Sequence, residues 1–501
     1  MIAFAFCLIA SIFAFWPYFF VPYVHGDEAA WMVLGREAFN GNLYVNLTDN
    51  KPPLFLEIYG MFDWGPPLLA FRTFLILWVA LGGVVLQKSL KLSGMGKVGA
   101  MWAGIFFCLS MGTIEFGTIS SERLYVPLLL MGAWFALAYR SNASFAWRPG
   151  MSILLTFGAG LTCGLSMNIK QPSVIFAVFV GYLIFDAAIR LKRGLLPVGF
   201  SFLGVLTGFF APWILTRVPF ETIWSEAFMQ SAGYIAPNNW GRVWDILTNL
   251  GYCAGALFGI LFGSLLALRR YKELRMLSGE QFRDGLVFIL CSVATLMLGF
   301  RMYQTHYIVL IPLLASLAAL GFSRATNPGK VLRIGGVLVV LNLWVFQGLF
   351  VYRQLNDQNK SWTTATRLLV KQIQLDTEPS DKIWVSNALH VAYAASERQP
   401  AVKHFCFQHT FGQIDICQTS EEQLRESLDR ANYLRLIEDL QKNAPKVIFW
   451  VQDNRYSCAQ KLKLENFPSI QRILDQSYRE QSRSDLGIYY LRIMPKRSET
   501  N

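Results

Sequence analysis

The sequence is poor in charged residues, which make up 16% of its 501 residues, against about 25% in soluble domains. Hydrophobic residues make up 53%, so most of the chain is expected to lie in lipid. The formal net charge of +12 does not indicate a nucleic-acid partner. From Lys360 onward, 20 basic residues are nearly balanced by 17 acidic ones. The positive excess therefore belongs to the hydrophobic part, where orientation in the membrane explains it.

Cysteines are also few, and several catalytic motifs are missing. The chain has no Cys-x-x-Cys, no His-Glu-x-x-His and no Gly-Lys-Ser/Thr phosphate loop, so redox, zincin and nucleotide-hydrolysing functions lack support. Cys406, Cys417 and Cys458 lie in the C-terminal tail, where an oxidising compartment favours a bridge between the nearest pair, Cys406 and Cys417. The other five cysteines lie inside apolar runs and are expected to be small packing residues.

Hydropathy predicts about eleven membrane spans of roughly 17–22 residues each. They cover residues 3–22, 67–87, 98–114, 124–139, 150–167, 172–189, 195–216, 245–268, 285–300, 306–322 and 331–351. Lys and Arg are concentrated in the even-numbered connections, which predicts a cytoplasmic N-terminus and, with an odd number of spans, an extracytoplasmic tail. The first span has no small-residue cleavage site after it and is expected to be retained.

The tail differs from the rest of the chain and predicts a second domain. We divide the chain into a transmembrane domain, 1–352, with a first outer loop at 24–66, and an extracytoplasmic α/β domain, 353–501. Short β-rich runs begin at Lys382, Lys446 and Leu486, and Glu421 to Asn443 has apolar residues at helical spacing.

The first outer loop carries the densest polar pattern. Asp27 and Glu28 follow the first span, where adjacent carboxylates are costly unless they meet water, a cation or a substrate. Ala29 to Phe39 reads as an amphipathic helix stopped by Gly41-Asn42, and Lys51-Pro52-Pro53 as the entry to a second helix ending near Trp64.

Other polar groups are predicted on the same outer face. They are Arg72, Ser120-Ser121-Glu122-Arg123, the turn Asn168 to Pro172 with Lys170, and the approach Arg301-Met302-Tyr303-Gln304-Thr305-His306-Tyr307. A single group of this kind is explained as well by a helix cap or by a snorkelling side chain as by a functional role. Several on one side of the membrane indicate a polar cavity, because charges at membrane depth cost a few kcal/mol.

The chain carries, in this order, the acidic pair, the amphipathic helix, the Asp-x-Lys-Pro-Pro element and these later turns. In this it resembles the polyprenyl-phosphate-sugar-dependent glycosyltransferases of the GT-C class, which implies a polytopic α-helical fold. The nearest groups are the protein O-mannosyltransferases and the lipid A aminoarabinose transferases. The resemblance extends, more weakly, over about the first 350 residues. It implies transfer of a sugar from a polyprenyl-phosphate donor to a lipid, glycan or protein acceptor, on the outer face of a bacterial inner membrane.

The resemblance also implies roles for individual residues. Asp27 holds the place of a general base, and Lys51, Arg301 and His306 are candidates for binding the donor phosphate. Lys170 is a further cation, expected either at the phosphate or paired with Asp27. Glu28 is as readily a helix N-terminal acid as a catalytic one. Glu122 is expected to bind the acceptor or to support the base.

A metal ion is not expected. In relatives, His or Glu often precedes Lys-Pro-Pro and helps to bind a divalent metal, whereas this chain has Asn50, whose amide is a poor zinc ligand. Asp49 and His306 still offer metal-binding groups, so a site is doubtful rather than excluded.

Two other classes of function remain open. A secondary transporter explains many spans and buried charges, but transporters commonly contain repeated halves with broken helices at the midplane, and this chain has no evident repeat. A non-catalytic assembly scaffold that keeps the fold is the third alternative.

Overall fold

The architecture comes from a computed structural model of the whole chain. It describes residues 1–20, 26–49, 51–62, 68–114, 119–141, 149–216, 218–229, 242–269, 279–297, 303–323, 328–356, 363–387, 389–405, 426, 431–453 and 462–493. Cys406, Cys417 and Cys458 lie outside these ranges, as do Arg301 and Asn50.

The membrane part is a bundle of apolar helices, with two short helices, Gly26–Phe39 and Pro53–Met61, between its first two long ones. The helices are α1 (Ile2–Phe15), α2 (Gly26–Phe39), α3 (Pro53–Met61), α4 (Leu69–Leu92), α5 (Lys97–Ser110), α6 (Ser121–Ser141), α7 (Pro149–Met167), α8 (Val174–Arg190), α9 (Leu196–Leu215), α10 (Phe220–Ile223), α11 (Arg242–Ala256), α12 (Phe258–Arg269), α13 (Gly279–Met297), α14 (Ile311–Ser323) and α15 (Pro328–Leu355). Three short 3-10 segments, Trp16–Phe20, Gln171–Ser173 and Gln304–Leu310, adjoin α1, α8 and α14.

Within the described residues, eight helices are long and apolar enough to cross a membrane. A ninth candidate is the pair α11 and α12, which is bent by 86°. The amide of Asn342 donates to the carbonyl of Gly255 at this bend (2.8 Å). A helix overlaps every predicted span, so the multi-pass fold is confirmed. The count of eleven stays a prediction, because α5 has only 14 residues, α11 and α12 do not form a straight span, and α13 is not among the eight candidate helices.

Small residues let neighbouring helices approach closely. A Cβ atom on Gly164 in α7 would lie 2.2 Å from the carbonyl oxygen of Val205 in α9, so only glycine fits there. The two helices of the first outer loop also approach each other closely at glycine residues. A Cβ on Gly60 in α3 would lie 2.2 Å from the oxygen of Gly35 in α2, which fixes these two helices against each other.

The two outer-loop helices confirm the sequence prediction with adjusted ends. Helix α2 begins at Gly26, three residues earlier than predicted, so Asp27 and Glu28 occupy its first turn, where the helix dipole favours carboxylates. Helix α3 has Pro53 at its first position and ends at Met61. Between them, the Trp31 ring packs edge-to-face on Phe55, with ring centroids 4.9 Å apart.

The C-terminal domain has a five-stranded mixed sheet in the order β2-β1-β3-β5-β4. Its elements are α16 (Thr364–Asp376), β1 (Lys382–Val385), α17 (Val391–Ser396), β2 (Gln399–Pro400), α18 (Ala431–Asn443), β3 (Val447–Val451), α19 (Pro468–Ser477), β4 (Tyr478–Ser484) and β5 (Gly487–Arg492). Strand β1 pairs in parallel with β2 and β3, while β5 is antiparallel to β3 and β4. The three predicted β-rich runs correspond to β1, β3 and β5. The described part of the predicted 421–443 helix is α18.

Candidate functional site

The N-terminal end of α6 carries a buried carboxylate, Glu122. The Glu122 side chain forms an ion pair with the ammonium of Lys170, which lies in the turn after α7. Ser121 Oγ donates to the other carboxylate oxygen (3.2 Å). His306, in the 3-10 segment before α14, also interacts electrostatically with Glu122. The structure therefore joins three of the predicted polar groups.

Two buried arginines bind backbone carbonyls. Arg123, fully buried, donates from Nε to the carbonyl of Met111 (3.0 Å) and also to that of Ile114. Arg72 donates to the carbonyl of Tyr18. Each guanidinium thus ties its own helix to the backbone at the end of a neighbouring helix.

The first turn of α2 contributes a pair of carboxylates with different surroundings. Glu28 is buried and interacts electrostatically with Arg72, whereas Asp27 is exposed. Both carboxylates interact electrostatically with Tyr59 of α3. The Tyr59 hydroxyl donates a hydrogen bond to the carbonyl of Ile119 (2.6 Å). Burial first, and then the charge of Glu28, raise the pKa of the Tyr59 hydroxyl well above its usual range. The charge of Arg72 acts in the opposite direction but does not cancel this rise. Tyr59 connects the acidic pair to the segment just before Glu122.

Lys51 is held from two directions at the start of the Lys-Pro-Pro element. Its ammonium lies over the Trp31 ring, 5.8 Å from the ring centroid, and its carbonyl accepts a hydrogen bond from the Tyr44 hydroxyl. A cation over an aromatic face is attracted by the ring quadrupole. Trp31 of α2 packs in turn against Phe55 and Tyr59 of α3, so the ammonium lies over the contact between these two helices.

A second group of carboxylates surrounds Tyr44. Its members are Asp49, which is 5% exposed, Glu57 of α3 and Glu226 of the π-helical turn that follows α10. Burial first, then these three carboxylates, raise the pKa of the Tyr44 hydroxyl well above its usual range. Burial also raises the pKa of Glu57 to about 7. Glu57 is therefore protonated over part of the neutral pH range.

The C-terminal domain contacts this group of carboxylates. Glu226 pairs with the ammonium of Lys403 (3.1 Å) and accepts a hydrogen bond from Thr48 Oγ1 (3.0 Å). The Thr48 amide donates to the Lys403 carbonyl (3.2 Å). At the other end of the loop, Nδ1 of His390 lies 3.2 Å from the Gly26 carbonyl oxygen. The domain thus touches the outer loop next to both Asp27 and Lys51.

The predicted site residues that the structure describes fall into two groups. Asp27 and Glu28 interact electrostatically with Tyr59 and Lys51 lies over Trp31, whereas Glu122, Lys170 and His306 form the second group. The ion pair recorded for Lys170 is with Glu122. Asp49 lies near Tyr44, and Arg301 is outside the described residues. In the part of the chain that the structure describes, no three His, Cys, Asp or Glu side chains are arranged to hold a metal ion.

Several members of the site had no signal in the sequence. Glu226 belongs to a short segment without a recognisable motif. Lys403 belongs to the C-terminal domain, for which the sequence predicts no function. Tyr44 stands in the loop between two recognised helices. Its left-handed backbone (φ 61°) is not a pattern that residue type reveals.

The fold is that of a polytopic helical membrane protein, and it matches the GT-C fold predicted from the sequence. The structure resembles that of ArnT from Cupriavidus metallidurans, both bound to undecaprenyl phosphate (TM-score 0.61) and in the apo state (0.60). Each match has 14% sequence identity and covers 98% of this chain and 97% of that one. It also resembles the oligosaccharyltransferase of Archaeoglobus fulgidus tethered with an acceptor peptide, with TM-score 0.52, 10% identity, and coverage of 98% and 74%. No family model and no curated protein matches the sequence.

Proposed function

We propose that the protein is a glycosyltransferase that moves a sugar from a polyprenyl-phosphate donor to an acceptor at the extracytoplasmic face of the inner membrane. The observation that carries this proposal is the acid and the cation held by one outer loop, Asp27 in the first turn of α2 and Lys51 over Trp31, in a fold of which one member binds undecaprenyl phosphate.

The proposed chemistry assigns one role to each end of the loop. Asp27 is exposed and accepts the proton of the acceptor hydroxyl as that oxygen attacks the sugar, and general-base assistance contributes about 10²–10⁴ in rate. Lys51 neutralises the phosphate as the bond to the sugar breaks, a type of interaction that is worth about 3–4 kcal/mol. Arg301 and His306 are proposed as further phosphate-binding groups.

Glu122 and Lys170 are proposed to support the site. Their ion pair neutralises a carboxylate that is 1% exposed, and His306 adds a second cation beside it. In this proposal the pair holds His306 in position at the donor phosphate. Glu28 interacts with Arg72 and Tyr59, and it is proposed to fix the first turn of α2 rather than to take a proton.

The test is a transfer assay with purified full-length protein in proteoliposomes. A radiolabelled sugar on polyprenyl phosphate is supplied with a cell-envelope extract as acceptor, and products are identified by mass spectrometry. Transfer of label to an extract component supports the proposal. Uptake of a solute without transfer would support a secondary transporter instead, and neither activity would support a non-catalytic scaffold.

A further inference from the structure

A polar cleft of about 550 Å³ lies between part of the outer loop and the C-terminal domain. One wall is formed by Glu37 of α2 and residues 45–47 of the loop. The facing wall is the edge strand β2 with its continuation to Lys403, and one side of α18. The cleft is large enough for one or two sugar rings, and ligand sites commonly lie at such domain boundaries.

Ten of its fifteen lining residues are polar, so an apolar chain is a poor occupant. The carboxylates of the lining roughly balance its ammonium and guanidinium groups, which also disfavours a polyanion. Several of the lining groups are already used for structure. Asn46 Nδ2 donates to Glu37 (3.1 Å), the Lys403 amide donates to Asp439 (2.9 Å), and Lys382 Nζ donates to Asn443 (3.3 Å).

Three exposed side chains of α18 remain available to a ligand. Arg435, Glu438 and Lys442 are spaced along one face of the helix toward the cleft, and none has an ion-pair partner among the residues that the structure describes. A guanidinium and a carboxylate are planar groups with two parallel hydrogen-bonding positions. Such groups match the neighbouring hydroxyls of a sugar ring.

The cleft shares a wall with the candidate site. Lys403 lines the cleft and pairs with Glu226, and Glu226 binds Thr48, three residues before Lys51. A molecule bound in the cleft therefore lies beside the loop that carries the proposed phosphate-binding lysine.

We propose that this cleft binds a saccharide portion of the acceptor, through the polar face of α18 and the outer loop. The inference that the saccharide belongs to the acceptor rests on the proposed function. Saccharide binding by the cleft, however, does not require sugar transfer. It assigns to the C-terminal domain the recognition of a hydrophilic, hydroxyl-rich acceptor.

The experiment measures saccharide binding to purified full-length protein in nanodiscs by saturation-transfer NMR, with chitobiose, maltose and mannobiose as probes. At least one disaccharide is expected to bind. The double variant Arg435→Gln/Glu438→Gln is expected to weaken that binding at least tenfold, because it removes both planar charged groups and leaves exposed, helix-compatible side chains. The control Arg483→Gln lies on β4, at the opposite edge of the sheet from β2, and should bind normally.

Absence of binding by all three disaccharides would overturn the inference, as would equal binding by the double variant and the wild-type protein. Donor binding is measured on the same samples with sugar-free polyprenyl phosphate. The wild-type protein and the double variant should retain it. Saccharide binding without donor binding would contradict the proposed function and leave the cleft assignment standing, so the two failures are distinguishable.

Discussion

The ammonium of Lys170 forms an ion pair with the Glu122 carboxylate, joining the turn after α7 to the first turn of α6. A charge that is 1% exposed needs a partner, because removing it from water costs several kcal/mol. His306 approaches the same carboxylate from the segment before α14. One buried acid therefore links the first turn of α6 with the turn after α7 and with the 3-10 segment before α14.

Lys170→Met should destabilise the protein by about 3–5 kcal/mol, because it leaves the Glu122 charge buried without its ion pair. Adding Glu122→Gln should recover much of the loss, since the second change removes the uncompensated charge. The measurement is thermal unfolding of purified protein in detergent. Arg483→Gln, which breaks an exposed pair with Glu480, is the control and should scarcely change the unfolding temperature. A Lys170→Met protein as stable as wild type would contradict the structural role of the pair.

Gly60→Ala should disrupt the outer loop. The new Cβ would lie 2.2 Å from the Gly35 oxygen, so α2 and α3 must separate and displace Trp31 from beneath Lys51. Donor binding and transfer should both fall. Gly181→Ala in α8 is the matched control, because no atom lies within 4 Å of its new Cβ, and helix propensity favours alanine by about 1 kcal/mol. Equal activity of the two variants would show that the close approach is unimportant.

Glu57 makes stability depend on pH in a defined direction. Burial raises its pKa from 4.5 to about 7 in the folded protein, so between these values the folded state holds the proton more tightly than the unfolded state. This contribution is therefore complete below about pH 4.5 and is lost as the pH rises through 7. Glu57→Gln should raise the unfolding temperature at pH 8 relative to wild type and change it little at pH 4.5. No difference between the two pH values would contradict the burial of this carboxyl.

The C-terminal domain should be extracytoplasmic. A reporter active only in the cytoplasm should be silent when fused after Asn501 and active when inserted after Gly94, in the connection between α4 and α5. The expectation follows from the Lys and Arg distribution and an odd number of spans. Activity after Asn501 would overturn the orientation and, with it, the placement of Asp27 and the proposed acceptor cleft on the outer face.

Local sequence patterns predicted much of the framework. Long apolar runs identified the membrane helices, and Lys51-Pro52-Pro53 correctly marked the start of α3. Strand β4 was not predicted, because only Tyr478 among its residues is buried and the strand lacks an apolar alternation. The link between Glu226 and Lys403 was also missed. It joins segments 177 residues apart and depends on how the domain sits on the loop, which local residue type does not encode.

The most direct test of the proposed mechanism compares Asp27→Asn with Lys51→Ala in transfer and in donor binding, at matched expression and thermal stability. Asp27→Asn keeps the shape of the side chain but removes its basicity, so transfer should fall at least about a hundredfold while donor binding survives. Lys51→Ala should weaken both, because a phosphate contact is present before the reaction and strengthens as the leaving group becomes charged. Near-normal transfer by Asp27→Asn would contradict the assignment of Asp27 as the base.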